Sequence, residues 1–335
     1  MNHNTAVSQL KSLQRTLQAY MHAMGVLQYD GATVAPAASV EGRAETMSYF
    51  AGLEHQLLTG ESTAALLAEL DAQKADLDPQ TARELHLLKE RQDKLSRIPA
   101  DEYAAYSALL ARADVSWKQA KASDDFSLFQ PDLEEIVAAN IRLAGYYDSE
   151  KAPYDALLNE YEKGADMATL DVFFARLREV IVPLVHAIAG RPQLDDSFLH
   201  GNFPADRQAQ LSQDVMDLIG LDKSRCILGT TEHPFTTGFN KNDVRITTHY
   251  YPAHLAFSLY SVIHEGGHAL YELGMDDCLK GSVANGGASL GIHESQSRFY
   301  ENLVGRSRPF MDRLLPVLQK HFPVEFAAVT PEMLY

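Results

Sequence analysis

Residues 264–268 read His-Glu-Gly-Gly-His. Histidines four positions apart lie one turn apart on one face of a helix, so both imidazoles can reach a single ion. Imidazole suits zinc, and a site with three protein ligands leaves a fourth position open for water, the mark of a catalytic rather than a structural site. Glu265, adjacent to the first histidine but not itself a ligand, is placed as general base toward that water. The flanks, Leu-Ala-Phe-Ser-Leu-Tyr-Ser-Val-Ile before and Ala-Leu-Tyr-Glu-Leu after, are strongly apolar. The helix is therefore expected to be buried, and three ionisable side chains in five positions then need partners. Gly266 and Gly267 weaken a helix by about 1 kcal/mol each relative to alanine. Such a cost implies that another backbone, or a substrate, approaches closely there.

A third ligand is expected from a helix farther along the chain. Glu294, in Gly-Ile-His-Glu-Ser-Gln-Ser at 291–297, opens such a helix after a glycine-rich loop. Glu301, seven residues on, shares its face and is a candidate to hold a ligand histidine from behind. An ordinary helix-start carboxylate is the competing reading of Glu294 by itself. Beside the histidine pair the ligand reading prevails. An oxyanion donor is also needed, and His293 and Tyr250 are the candidates.

The elements that would position these groups are mostly helical. Leu10, Leu13, Leu17, Met21 and Met24 recur at three- and four-residue steps on a long first helix, broken between Gly31 and Ala38. A second helix follows over Glu41–Leu58, and Asp78-Pro79 marks the start of another, with Leu85, Leu88 and Leu95 inward. Further helices are expected over 100–121, 131–147, 165–189, 204–219, 254–273, 289–304 and 309–320. Asp243–Tyr251, rich in β-branched and aromatic residues, reads as a strand, and an exposed edge there could pair with an extended peptide. The expected fold is mainly α with a small β region before the metal helix. Residues 1–222 form the helical N-terminal part and residues 223–335 the metal-binding part.

The chain has 335 residues with 45 acidic against 29 basic side chains, a formal charge of −16. That balance argues against nucleic-acid and anionic-membrane partners. No apolar run approaches the roughly 18 residues of a membrane span. The first residues lack a basic start followed by an apolar block, so no secretory signal is expected. Two cysteines, Cys226 and Cys278, are too few for a disulfide framework and read as lone buried thiols of a reducing compartment.

Several segments in order resemble the carboxypeptidase Taq family of zinc carboxypeptidases: His233-Pro234-Phe235, Asp243-Val244-Arg245-Ile246-Thr247, His264–His268, and His293-Glu294-Ser295-Gln296-Ser297-Arg298, followed by Glu301-Asn302 and Val304–Ser307. The resemblance implies a helical gluzincin-type metallopeptidase fold with a deep groove, related to neurolysin and angiotensin-converting enzyme. It implies a cytoplasmic homodimer that releases C-terminal residues from peptides with broad specificity, using zinc or cobalt. Carried over by position, His264, His268 and Glu294 bind metal and Glu265 is the catalytic carboxylate. His233, Asp243, Arg245 and Thr247 would line or brace the site. Members of that family are longer. The C-terminal third of the family fold, with an IRxxAD segment that supplies an arginine for the substrate carboxylate and a GxxQDxHW segment, is expected to be missing. His249 stands where arginine is usual, and Gly266 where a larger residue is usual. The alternative reading is a truncated chain that holds metal but turns over substrate weakly or not at all. A groove lacking one wall would expose apolar surface and promote association or modest stability.

Overall fold

The computed structural model describes residues 3–335, which divide into two compact units. The first comprises residues up to Ala165 together with Asp277–Asn285, and the second Asp166–Asp276 with Gly286–Tyr335. The expected boundary after residue 222 therefore lies inside the second unit. The helix that precedes it packs its apolar face on the metal helix and so belongs with it.

The first unit is built from α1 (His3–Thr33), α2 (Val40–Thr59), α3 (Glu61–Ala72), α4 (Pro79–Ser96), α5 (Ala100–Ser123), α6 (Gln130–Tyr147) and α7 (Pro153–Tyr161). The expected stripe on α1 is buried at Leu10, Leu13 and Leu17 and runs out by Met21, which is 40% exposed. Leu85, Leu88 and Leu95 of α4 join the same core with Leu58, Leu67 and Leu70. Asp78 caps α4 as its sequence foretells, its carboxylate accepting from the Thr81 amide at 3.0 Å and the Thr81 hydroxyl at 2.6 Å. Two buried carboxylates in this core have donors: Glu84 accepts from the Gln14 amide at 2.8 Å, and Glu54 pairs with Arg91.

The second unit contains α8 (Met167–Ala189), α9 (Ala205–Leu218), strands β1 (Cys226–Thr230), β2 (Thr236–Asn240) and β3 (Asp243–Thr248), then α10 (Leu255–Leu273) and α11 (Leu290–Arg298). A π-helical segment over Phe299–Val304, α12 (Arg308–His321) and the short α13 (Pro331–Leu334) complete it. The sheet order is β1-β3-β2, with β1 parallel and β2 antiparallel to β3. β3 is thus the central strand and both its edges are taken, which corrects the expectation of an open edge for peptide there. Its buried Val244, Ile246, Thr247 and Thr248 explain that position, since a central strand is covered on both sides by its neighbours. β2 was not legible in the sequence because Gly238 and Asn240 read as turn formers. Of the two thiols, Cys226 is buried, with its pKa pushed up to about 12 by burial, but Cys278 is exposed, contrary to the expectation for both.

The core of this unit lies between α9, α10, α12 and the sheet, with Leu211, Val215, Met216, Val262, Ile263, Val244, Ile246, Leu314 and Leu318 at its centre. Phe203 stacks edge-on against Phe322 at 5.0 Å beneath it. The expected close approach at the two glycines is found. A Cβ on Gly267 would stand 2.9 Å from Ser297 Cα and 3.0 Å from Gln296 O, so α11 lies backbone against backbone on α10. A Cβ on Gly266 would meet the tip of Ile219 at 2.3 Å. Among the described residues no helix is long and apolar enough to cross a membrane.

α8 differs from its neighbours in burying none of its residues. Phe173, Phe174, Ile181, Leu184, Val185 and Ile188 form one apolar stripe, each about half exposed.

Two measurements follow from this packing. Gly267→Ala should lower the denaturation midpoint, by about 1–3 kcal/mol of overpacking, although alanine is the better helix former. Gly266→Ala should cost less, because a flexible side-chain end can move aside, and equal losses would contradict the backbone contact. On sedimentation the protein should associate with rising concentration, and Phe174→Lys with Ile181→Lys should reduce that association without lowering the melting temperature.

Candidate active site

The two histidines of α10 present their Nε2 atoms to one carboxylate oxygen. Glu294 Oε2 lies 3.6 Å from His264 Nε2 and 3.4 Å from His268 Nε2. The three ligand atoms fall within 4.8 Å of one another. Donors bound at about 2.0–2.1 Å in a tetrahedron stand roughly 3.3–3.4 Å apart, so this set can hold a divalent cation of that size. Glu294 is brought there by α11, whose N-cap Ser289 accepts from the Ile292 amide at 3.1 Å. The tight crossing at Gly267 sets the depth at which that helix lies.

Each ligand is held from behind. His264 Nδ1 donates to Glu301 Oε2 at 2.9 Å, as its place on the Glu294 face suggested. Glu301 sits in the π-helical segment, a type of distortion often found at functional sites. Arg298 spans the two carboxylates, donating to Glu294 Oε1 at 2.8 Å and to Glu301 Oε2 at 3.2 Å. Glu294 Oε2, which also accepts from the Ser297 hydroxyl at 3.1 Å, faces the imidazoles. Burial disfavours the charge on Glu294, but the Arg298 bond, the neighbouring His264 and Ser297 outweigh it and hold the pKa below the usual range. His268 Nδ1 lies 2.6 Å from His293 Nδ1, and His293 Nε2 lies 2.8 Å from Glu272 Oε1. Burial, then the neighbouring His293 and His264, push the His268 pKa down to about 4. It is therefore neutral at physiological pH, the form that binds cations.

Glu265 is buried beside this centre, and its Oε2 accepts from the Thr236 hydroxyl at 2.7 Å. Burial raises its pKa, opposed by the Thr236 bond and His264. β2 thus supplies the group that orients the Glu265 carboxylate, a contact that nothing in the sequence around Thr236 signals.

The remaining expected residues are placed as follows. Thr247 is buried in β3, its hydroxyl 2.7 Å from the Phe235 amide and 2.9 Å from the Phe235 carbonyl. It braces the His233-Pro234-Phe235 turn, where His233 itself is exposed. Asp243 and Arg245 pair with each other through two bonds of 3.0 Å, and Arg245 lies over the Phe239 ring at 4.8 Å. This makes them a brace within the hairpin. Tyr250 has the Ser212 hydroxyl of α9 beside it, and burial raises its pKa. That contact is to α9. His293 is a brace of His268. Sequence reasoning missed Glu272, Thr236 and Arg298 as site residues. Glu272 and Arg298 had a signal in their spacing, each lying four residues after a candidate ligand on the same helix face, His268 and Glu294 respectively.

A sequence model described as "Carboxypeptidase Taq (M32) metallopeptidase" matches residues 9–335. Carboxypeptidase 1 of Bacillus subtilis (strain 168) is 35% identical over 331 residues, which are 98% of this chain and 66% of that protein. The crystal structure of BsuCP superposes with a TM-score of 0.93 at 34% identity, covering 98% of this chain and 66% of the other. The M32 carboxypeptidase from Deinococcus radiodurans R1 gives 0.87 at 36% identity, covering 99% and 66%. The chain therefore spans about two thirds of the length of these relatives. With the ligand cluster, the brace from Glu301 and the match along nearly all of its length, this chain belongs to the carboxypeptidase Taq family of metallopeptidases.

Proposed function

We propose that this protein is a zinc-dependent carboxypeptidase of broad specificity, with His264, His268 and Glu294 as metal ligands and Glu265 as general base. The observation that carries this reading is the convergence of two imidazole nitrogens on one Glu294 oxygen, at 3.6 and 3.4 Å, beside a buried carboxylate that is not itself a ligand. Two histidines and a glutamate are a donor set that suits zinc, with cobalt as a substitute. A divalent metal there supplies Lewis acidity, polarising a carbonyl and acidifying a water.

The chain's own residues do the rest. Glu265, held by Thr236, takes a proton from the attacking water and passes it to the leaving amine. Glu301 and His293 keep the two imidazoles aimed at the centre. Arg298 keeps Glu294 ionised. Release of residues from the C-terminus is supported by the relatives, which are named carboxypeptidases. We place the enzyme in the cytoplasm, on a cysteine count of two that is too low for a disulfide framework, and as a homodimer, on the exposed apolar stripe of α8. Its acidic balance favours peptide substrates over nucleic acid or anionic membrane.

The test is metal content and hydrolysis of a blocked dipeptide on one purified sample. The expected result is about one zinc per chain with C-terminal release, abolished by a chelator and restored by zinc or cobalt. Metal without hydrolysis would show a preserved centre in a chain unable to hold substrate. Glu265→Gln should keep the metal and cut the rate at least about 100-fold. Undiminished hydrolysis in that variant would remove Glu265 from the assigned role.

A further inference from the structure

We propose that Glu272, acting through His293, fixes the ring of His268 and thereby sets how tightly this protein holds its metal. The inference rests on the ligand assignment above and adds a positioning residue one step behind the brace.

The argument is one of proton placement. An ionised carboxylate only accepts hydrogen bonds. Glu272 Oε1 lies 2.8 Å from His293 Nε2, so that nitrogen carries the hydrogen. A neutral imidazole with its hydrogen on Nε2 has a lone pair on Nδ1, and this atom lies 2.6 Å from His268 Nδ1. His268 must then carry its hydrogen on Nδ1, which leaves its Nε2 lone pair facing Glu294 Oε2 at 3.4 Å. A carboxylate two imidazoles away thus dictates which nitrogen of His268 is free to bind. His264 achieves the same in one step, from Glu301 at 2.9 Å.

Packing shows that the relay has little freedom to rearrange. Glu272 and His293 have side chains only 11% and 19% exposed. Gly238 of β2 lies against the carboxylate: a Cβ there would stand 2.7 Å from Glu272 Oε2 and 2.8 Å from its Cδ. Gly287 lies against the imidazole, where a Cβ would be 2.5 Å from His293 Cδ2. The Tyr271 ring also packs edge-on against His293, 5.0 Å away. Glu272 lies four residues after His268, yet the contact between them runs through His293 from α11. The relay therefore also ties the ligand helix to the helix that carries Glu294.

The test is metal affinity, which needs no substrate. Zinc and cobalt dissociation constants would be measured by chelator competition on wild type, Glu272→Gln, Glu272→Met, His293→Ala and the Glu272→Met/His293→Ala double variant, with the cobalt visible spectrum and the melting of the metal-free forms. Glu272→Met keeps the volume without the acceptor and should weaken binding about tenfold or more. Glu272→Gln retains an acceptor oxygen and should fall between it and wild type. Metal-free melting should barely change, and the cobalt spectrum should shift. Once His293 is gone, Glu272→Met should add no further loss. Gly238→Ala, which reaches the same carboxylate from β2, should weaken binding while leaving every relay residue in place. Wild-type affinity in Glu272→Met and Gly238→Ala, or losses that add in the double variant, would overturn the relay. Failure of the wild type to bind either metal would instead overturn the metal-centre reading on which it rests.

Discussion

The contact of α10 with α11 at Gly267 is the constraint on which the second unit turns. Helix axes normally stand apart by the width of the side chains between them. Here a missing side chain lets the backbone of Gln296 and Ser297 lie directly on the helix. That depth lets Glu294, a side chain with a short reach, meet imidazoles rooted on the facing cylinder. The same closeness brings His293 onto His268 and Glu301 onto His264, so one crossing places the three candidate ligands and the two groups that hold the imidazoles. The cost is local, two poor helix formers in the middle of α10. It is offset by the apolar contacts the helix makes elsewhere with α9, α12 and β3.

A second theme is the handling of buried charge. Glu265 and Glu272 are both buried on α10, and Glu301 is nearly so in the segment after α11. An isolated carboxylate in such surroundings would neutralise or destabilise the fold. Each has a specific partner instead: Thr236 for Glu265, His293 for Glu272, and His264 with Arg298 and Arg306 for Glu301. The partners come from β2, α10, α11 and the residues after it, so satisfying these charges also specifies how the elements dock. The distribution of charge and the geometry of the centre are in this sense one arrangement. Removing Thr236 or His293 would leave Glu265 or Glu272 without the partner named here, and the loss of His293 would also release His268.

The sheet serves the site as a bracket. β3 is gripped on both edges, and its Thr247 hydroxyl holds the turn that leads into β2. β2 then carries Thr236 to Glu265 and Gly238 to Glu272. A strand of five residues thereby touches both Glu265 and Glu272, the two buried carboxylates of α10. α8, by contrast, contributes nothing to this core and keeps its apolar stripe on the surface.

Local rules were enough for much of this. The helical class, the cap at Asp78, the inward leucines of α1 and α4, the strand from Asp243 and the pairing of His264 with His268 follow from period, propensity and spacing. Glu294 and Glu301 could be proposed because helix periodicity puts them on one face, and the glycine pair announced a close approach without saying of what. The sequence could not reveal that β3 is central, that residues 236–240 form a strand, or that Tyr250 turns toward α9. Nor could it join Glu272 to His268 through His293, or Thr236 to Glu265. These are meetings between segments whose separations along the chain follow no period. Spacing specifies which residues of one helix share a face, while the identity of the element lying against that face is decided only when the whole chain packs.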